Sequence, residues 1–147
     1  MEFLNNKIKG FSYENPGHAN VIIQNDSDEK VKDLFAKLTD ALGFKTIEVE
    51  NNEDPEQTIK YLESKLKLAE KRYKEIGEYS IIELTGFDEI LSNNESSATS
   101  DFISKFVELL EEANTKYHSI IFLKLTTPIE KLQNAIVENN LFKMILN

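Results

Sequence analysis

The stretch VIIQNDSDEKVKDLFAKLTDALGFKTIEV, residues 21–49, contains the pattern that indicates the fold class. Val21–Gln24 is a short apolar run, and Lys45–Val49 is a second one. Between them the apolar residues recur at the spacing of one helix face, which is the case for Val31, Leu34, Phe35, Leu38, Ala41 and Leu42. Gly43 follows at the point where a helix end favours a left-handed residue. The stretch therefore predicts a strand, a helix and a second strand.

The next segment predicts a long helix. Asp54 has the position of an N-cap and Pro55 that of the first helical residue. The apolar residues that follow lie on one helix face up to about residue 76, and we expect them to point inward: Ile59, Leu62, Leu66, Ala69 and Ile76.

Two further strands, SIIELT (80–85) and SIIFLKL (119–125), are almost continuously apolar, which is typical of strands buried on both faces of a parallel sheet. A helix is expected between them from about Thr99 to Ala113. After the fourth strand, Thr127, Pro128 and Glu130 predict the start of a last helix whose inner residues are Ile129, Leu132 and Ile136. KMIL (143–146) is expected to close the sheet as a fifth strand.

Strands that alternate with helices imply right-handed crossovers and a parallel sheet. We therefore expect one α/β domain over residues 1–147, built as a three-layer sandwich with a five-stranded parallel sheet. Ligands of such sheets bind beyond the carboxyl ends of the strands, so the turns after strands one, three and four are the expected location of a site.

Charge and cysteine content limit the function classes. The 147 residues carry a net charge of −9 and include no cysteine. The excess of negative charge would repel a phosphate backbone, so nucleic acid is not an expected partner. The lack of cysteine excludes disulfides and thiolate sites, which fits the cytoplasm. The sequence has neither a signal peptide nor an apolar run of membrane-spanning length, so we expect a soluble protein with no membrane partner.

The order of these elements resembles the α/β core of AAA+ ATPases. Residues 15–49 follow that family's order of lead-in, strand one, phosphate loop, helix one and strand two. YSIIELTGFDEIL (79–91) occupies the place of the Walker B strand, and residues 119–142 resemble the sensor-1 strand with its following helix. The resemblance implies the strand order 5-1-4-3-2, here without the family's lid domain.

The phosphate loop of that family differs in this chain. A Walker A loop needs glycines, because successive backbone N–H groups must wrap the phosphates, and it needs a lysine and a hydroxyl residue. In the matching octet QNDSDEKV (24–31), Gln24 and Glu29 replace the glycines and Val31 replaces the hydroxyl residue, while Lys30 is retained. The three acids of the octet would also repel a triphosphate. Lys30 is thus a weak candidate for cofactor binding, and a solvated surface charge is the simpler interpretation.

The other motifs of the family are altered as well. Thr85 and Gly86 stand in the positions of the metal-binding Asp and the catalytic Glu, and Thr127 stands for the sensor-1 residue. No arginine finger is present near residues 139–142. The resemblance therefore implies a pseudo-ATPase with no catalytic residue and no cofactor, a monomer or dimer that serves as a protein-interaction or assembly module.

A second resemblance is to response-regulator receiver domains, whose strand order is 2-1-3-4-5. Asn25 and Asp26 match the acidic pair after strand one. Thr85 replaces the aspartate that accepts the phosphoryl group, and Asn147 replaces the lysine. The alternative function is accordingly an atypical, receiver-like signalling domain.

An enzymatic alternative rests on acids near the carboxyl ends of strands one and three. Asp26, Asp88 and Glu89 are weak candidates for a Mg²⁺ site that would support phosphoryl transfer or hydrolysis. Acids in such turns also commonly serve as helix caps. Glu83 lies inside an apolar strand, where a carboxylate must face a partner, a bulge or a sheet edge.

One aromatic residue and two histidines remain to be considered as binding residues. Phe87 follows the third strand and lies near the polar loop 92–100, so an exposed Phe87 would be a candidate anchor for a protein partner. Packing of Phe87 onto the next helix is the other interpretation. His18 and His118 precede strands one and four and are expected to be surface residues, with no metal between them.

Overall fold

The computed structural model describes residues 20–24, 29–51, 54–92, 97–132, 136, 142 and 144–146. In chain order its elements are β1 (Val21–Ile23), α1 (Glu29–Ala36), β2 (Lys45–Glu50), α2 (Pro55–Ile76), β3 (Ser80–Thr85), α3 (Ser97–Lys116), β4 (Ser119–Lys124) and β5 (Met144–Leu146). A π-helical turn, Lys37–Ala41, extends α1, and a 3₁₀ turn, Ile129–Lys131, follows β4. Within the described residues, none of the helices combines the length and apolar character that a membrane span requires.

The strands form one parallel sheet in which β2, β3, β4 and β1 lie side by side in that order. The three-residue strand β5, which corresponds to the predicted KMIL segment, pairs with the other side of β1. The α/β class, the parallel sheet and the order of the first four strands are therefore as predicted. The alternative receiver-like order is wrong, because it requires β1 and β2 to be neighbours, and β3 and β4 separate them.

Both faces of the sheet are buried under helices. Alternate side chains of a strand point to opposite faces, so β1, β3 and β4 each contribute to two apolar clusters. One cluster combines Ile22, Ile82 and Ile121 with residues of α2 and α3. The other combines Ile23, Ile81, Ile120 and Phe122 with residues of α1. This double burial explains why β3 and β4 are almost continuously apolar, and each fully buried side chain contributes about 2 kcal/mol of transfer free energy.

Helix α1 has the predicted apolar stripe, since Val31, Leu34 and Leu38 are buried against the sheet. Its last turn is wider than that of an α-helix, and the Thr39 hydroxyl there donates to the Phe35 carbonyl at 3.0 Å. Gly43 has a φ of 75°, a left-handed conformation that side chains with a Cβ disfavour, so the predicted glycine stop is confirmed.

Helix α2 begins and ends as the sequence indicates. The Asp54 carboxylate accepts a hydrogen bond from the Glu56 N–H at 3.0 Å, and Pro55 is the first helical residue. Gly77 ends the helix in a left-handed conformation. The prediction that Ile76 points inward is wrong, because its side chain is 69% exposed. A helix of 22 residues is roughly 33 Å long and a six-residue strand only about 20 Å, so the end of α2 extends beyond the sheet.

The last predicted helix does not begin at Thr127. Only the 3₁₀ turn forms there, because Leu132 returns to an extended conformation and pairs with Ser92 in an isolated antiparallel bridge. Ile136 is buried and helical, as expected, while residues 133–135 and 137–141 lie outside the described residues. The expected capping hydroxyl, that of Thr127, makes a different contact at the carboxyl end of the sheet.

Candidate functional site

The candidate site lies at the carboxyl ends of β1, β3 and β4. After β1 the chain continues to α1 on one face of the sheet, whereas the residues after β4 join the apolar cluster on the opposite face. Adjacent strands whose continuations diverge in this way leave a crevice between them, where α/β proteins bind ligands. Here a cavity of about 490 Å³ occupies that position and is lined by Ile23, Gln24, Thr85, Gly86, Asp88, Lys124, Leu125 and Thr126.

Asp88 is the most strongly hydrogen-bonded residue of the described cavity lining. One carboxylate oxygen, Oδ2, accepts hydrogen bonds from the backbone N–H groups of Thr126 and Thr127 at 2.6 and 2.9 Å. The same oxygen accepts from the hydroxyls of these two threonines at 3.2 and 3.1 Å. Asp88 therefore connects the turn after β3 to the segment after β4.

The pKa of Asp88 lies below its ordinary value of 3.8. Partial burial acts to raise this pKa, and the hydrogen bonds from the backbone and side chains of Thr127 and Thr126 lower it by more. A general acid or base needs a pKa near the working pH, which for a carboxyl group means a raised value. Asp88 is therefore a permanently ionised hydrogen-bond acceptor at neutral pH.

Glu83 has the partner that its place in an apolar strand requires. Its carboxylate lies 3.1 Å from the Lys124 ammonium, and the side chains are 7% and 25% exposed. Both residues point to the α1 face, since Glu83 lies opposite Phe122 in the register and Lys124 is two residues further along β4. The ion pair thereby neutralises a carboxylate that would be costly to bury alone.

A second cavity, of about 420 Å³, opens on the α1 face next to this ion pair. Its walls are mostly apolar and include Ile23, Val31, Phe35 and Phe122. Lys124 lines this cavity as well as the crevice, so the residue borders both spaces.

The other predicted phosphate and metal ligands are only partly described. Lys30 lies in the first turn of α1, but its side chain and the whole of Asp26 lie outside the described residues. Glu89 is exposed in the turn after Asp88. Within the described part of the chain, no group of three or more histidine, aspartate or glutamate side chains is arranged to hold a metal ion. The magnesium site stays a prediction, and one of the two carboxylate oxygens of Asp88, Oδ2, already accepts four hydrogen bonds.

Phe87 is not the exposed anchor that one interpretation of the sequence required. Its side chain is fully buried, and its ring centroid lies 6.1 Å from that of Phe102 and 5.9 Å from that of Phe106, both on α3. The prediction of an exposed anchor is therefore wrong, and the Phe87 ring packs onto α3, which is the other interpretation of the sequence. Burial of a large aromatic surface favours that arrangement.

His118 is also more enclosed than predicted. It lies at the opposite end of the sheet, where its Nδ1 is 3.1 Å from both oxygens of the nearly buried Glu70 carboxylate. Its ring stacks on Tyr73 with a centroid distance of 3.6 Å. His118 is therefore a partly covered surface residue, with a side chain that is 21% exposed, and His18 lies outside the described residues.

Lys124 was not among the site residues predicted from the sequence. A usable signal was present, because a lysine ends an apolar strand whose neighbour contains the isolated acid Glu83. Recognising it required the pairing of β3 with β4 and their register, which the local pattern does not supply.

The chain was compared with models of protein families and with curated proteins, and neither comparison found a match. Function is accordingly inferred from the site itself. Its polar groups contact one another: Glu83 with Lys124, Asp88 with two threonines, and the Gln24 amide with the Thr127 carbonyl at 3.5 Å.

Proposed function

We propose that this chain is a non-catalytic, AAA+-like module, a pseudo-ATPase that acts by binding a protein partner or by supporting an assembly. The order β2-β3-β4-β1, with β5 on the outer side of β1, supports the likeness to the AAA+ core. The crevice at the carboxyl ends of β1, β3 and β4 corresponds to the nucleotide position of that family.

The observation that carries the non-catalytic part is the hydrogen bonding of Asp88. This acid lies in the crevice, and its Oδ2 accepts four hydrogen bonds from Thr126 and Thr127, which connect it to the segment after β4. Thr85 and Gly86, at the end of β3, provide no carboxylate that could hold a metal ion or act as a general base. Among the described residues that line the crevice, Asp88 provides the only carboxylate, and it is held by Thr126 and Thr127.

The proposed binding of a partner protein is based on the features of the AAA+ core that this chain shares. Parallel strands and buried faces are preserved, while the groups that would perform phosphoryl transfer are replaced. A scaffold of this kind can bind a partner protein through its surface. We propose that it acts as a monomer or dimer, since the ring contacts of AAA+ proteins depend on an arginine finger that the sequence lacks.

Isothermal titration calorimetry with ATP and with ADP, each with and without millimolar Mg²⁺, tests this proposal. We expect no binding heat and no release of inorganic phosphate in a parallel hydrolysis assay. Micromolar binding would overturn it, most directly if the substitution Lys30→Ala abolished the binding while the control Lys32→Ala, in the same turn of α1, did not.

The enzymatic alternative is tested by the same protein without nucleotide. If Asp26, Asp88 and Glu89 hold Mg²⁺, millimolar Mg²⁺ raises the melting temperature, and Asp88→Asn removes the increase. We expect an unchanged melting temperature, because the Asp88 carboxylate is engaged with Thr126 and Thr127.

A further inference from the structure

Strand β2 forms one edge of the sheet. It pairs with β3 on one side, and no strand in the described part of the chain pairs with its other side. The Lys45 N–H donates to the Tyr79 carbonyl at 2.9 Å and the Asn51 N–H to the Thr85 carbonyl at 3.0 Å. Backbone groups alternate in direction along a strand, so the N–H and C=O groups of Ile47 and Val49 also point towards β3.

The backbone N–H and C=O groups of Thr46, Glu48 and Glu50 therefore point away from the sheet. All three residues are exposed. A row of outward-pointing donors and acceptors is a template for another strand. Any extended chain that docks at this edge could form backbone hydrogen bonds with these groups. The side chains beside the edge therefore determine which chain fits.

The side chains beside this edge are acidic and aromatic. Glu48 and Glu50 point to the same face of the sheet, two residues apart, and no described cation forms an ion pair with either. A cavity of about 440 Å³ lies alongside, lined by these two glutamates and by Gln57, Thr58 and Tyr61 of α2. The Tyr61 side chain is 46% exposed, so it offers apolar contact area to an incoming chain.

A second copy of the same strand matches this edge less well than a basic strand would. In an antiparallel pair, residues that point towards each other lie directly opposite. Glu48 of one copy would then face Thr46, Glu48 or Glu50 of the other, whichever register is chosen. Directly opposed like charges destabilise two of these three registers, those that pair Glu48 with Glu48 or with Glu50, and none of the three brings a cation to Glu48.

We propose that the outer edge of β2 binds an extended segment of a partner protein that carries lysine or arginine at alternating positions. The segment adds to the sheet as a further strand, and its cations lie opposite Glu48 and Glu50. Its remaining side chains contact the cavity beside Tyr61. This inference rests on the proposed interaction function and names the chemistry of the partner.

A labelled peptide of about eight alternating lysine and valine residues serves as the probe, because edge strands of that length are common. We expect saturable binding by fluorescence anisotropy at low ionic strength and weaker binding at high salt. Glu48→Lys lowers the affinity about tenfold, and Glu50→Lys acts similarly, since each exchanges an attraction for a repulsion. The control Glu108→Lys makes the same change of net charge at an exposed position of α3 and changes the affinity less than about twofold.

Modified peptides distinguish strand addition from general charge attraction without any change to the protein. N-methylation of the peptide residues whose N–H groups face β2 removes the donors of the new strand pair, whereas N-methylation of the alternate residues leaves them intact. We expect the first peptide to lose binding and the second to retain it. Equal binding of both peptides would overturn the proposal.

Amide hydrogen exchange of the free protein tests whether the edge is available. We expect fast exchange at Thr46, Glu48 and Glu50, slow exchange at Ile47 and Val49, and protection of the first three when the peptide is added. Protection in the free protein would show that another part of the chain covers the edge, and a concentration-dependent dimer that Glu48→Lys alters would show a second copy there. Either result overturns the proposal.

Failure of this inference and failure of the proposed function give different results. If neither the peptide nor ATP binds, the edge proposal is wrong and the non-catalytic proposal stands. If ATP binds with micromolar affinity, the proposed function is wrong whatever the peptide does.

Discussion

Removal of the Asp88 carboxylate should destabilise the fold measurably, although the residue is only half-buried. Asp88→Ala deletes the acceptor of two backbone hydrogen bonds and two hydroxyl hydrogen bonds. Hydrogen bonds to a charged acceptor contribute roughly 1.5–3 kcal/mol when shielded from water. Solvent screens this site, so we take about 1 kcal/mol for each backbone bond and little for the hydroxyls, which water can satisfy.

The expected loss in the free energy of unfolding is therefore about 2 kcal/mol. For a domain of this size, a loss of that magnitude corresponds to a decrease of roughly 5–8 °C in melting temperature. Urea denaturation followed by circular dichroism measures the change. Glu89→Ala is the matched control, because it removes the same charge from an exposed neighbour and should stay within about 0.5 kcal/mol of the original protein.

The pH dependence of this loss provides an independent check. The pKa of Asp88 is lowered in the folded protein, so its carboxylate stabilises the fold above the unfolded value, near 3.8, and that contribution disappears as the pH falls through the folded value. The difference between the original protein and Asp88→Ala should thus be complete at neutral pH and decrease below about pH 4. Equal stability of Asp88→Ala and Glu89→Ala, or a difference that does not change with pH, would refute the reasoning.

Two further predictions concern buried side chains. Lys124→Met should lower the free energy of unfolding by about 3 kcal/mol, because it leaves the 7%-exposed Glu83 carboxylate without its ion-pair partner. The double variant that adds Glu83→Leu should recover most of this loss in urea denaturation, and additive losses would contradict the pairing. Phe87→Ala should cost about 3–5 kcal/mol, since the ring is fully buried beside Phe102 and Phe106. Thermal unfolding measures it, and a loss below about 1 kcal/mol would show that Phe87 is more exposed than the structure indicates.

The sequence by itself predicted most of the regular elements. Hydrophobic periodicity indicated α1 and α2, continuous apolar runs indicated β3 and β4, and the caps of α2 at Asp54 and Gly77 lie where local residue preferences place helix ends. These features depend on residues within a few positions of one another, which is the range over which spacing and capping act. The parallel sheet followed from the alternation of helices and strands.

Contacts between distant residues were decided by the tertiary structure alone. Asp88 and Thr126 are 38 positions apart, and they meet because β3 and β4 are neighbours with their carboxyl ends at one edge. The same contact engages the Thr127 hydroxyl, so the local signal for a helix start at Thr127 did not prevail.

Burial likewise depended on which surfaces came together. The residues around Phe87 were compatible both with an exposed ring and with a packed one. The position of α3 against the sheet determined that the Phe87 ring is buried. Local spacing specifies which way a side chain points along its own element. Whether another element lies there depends on strand order and register, and these arise from the free energy of the whole packed core.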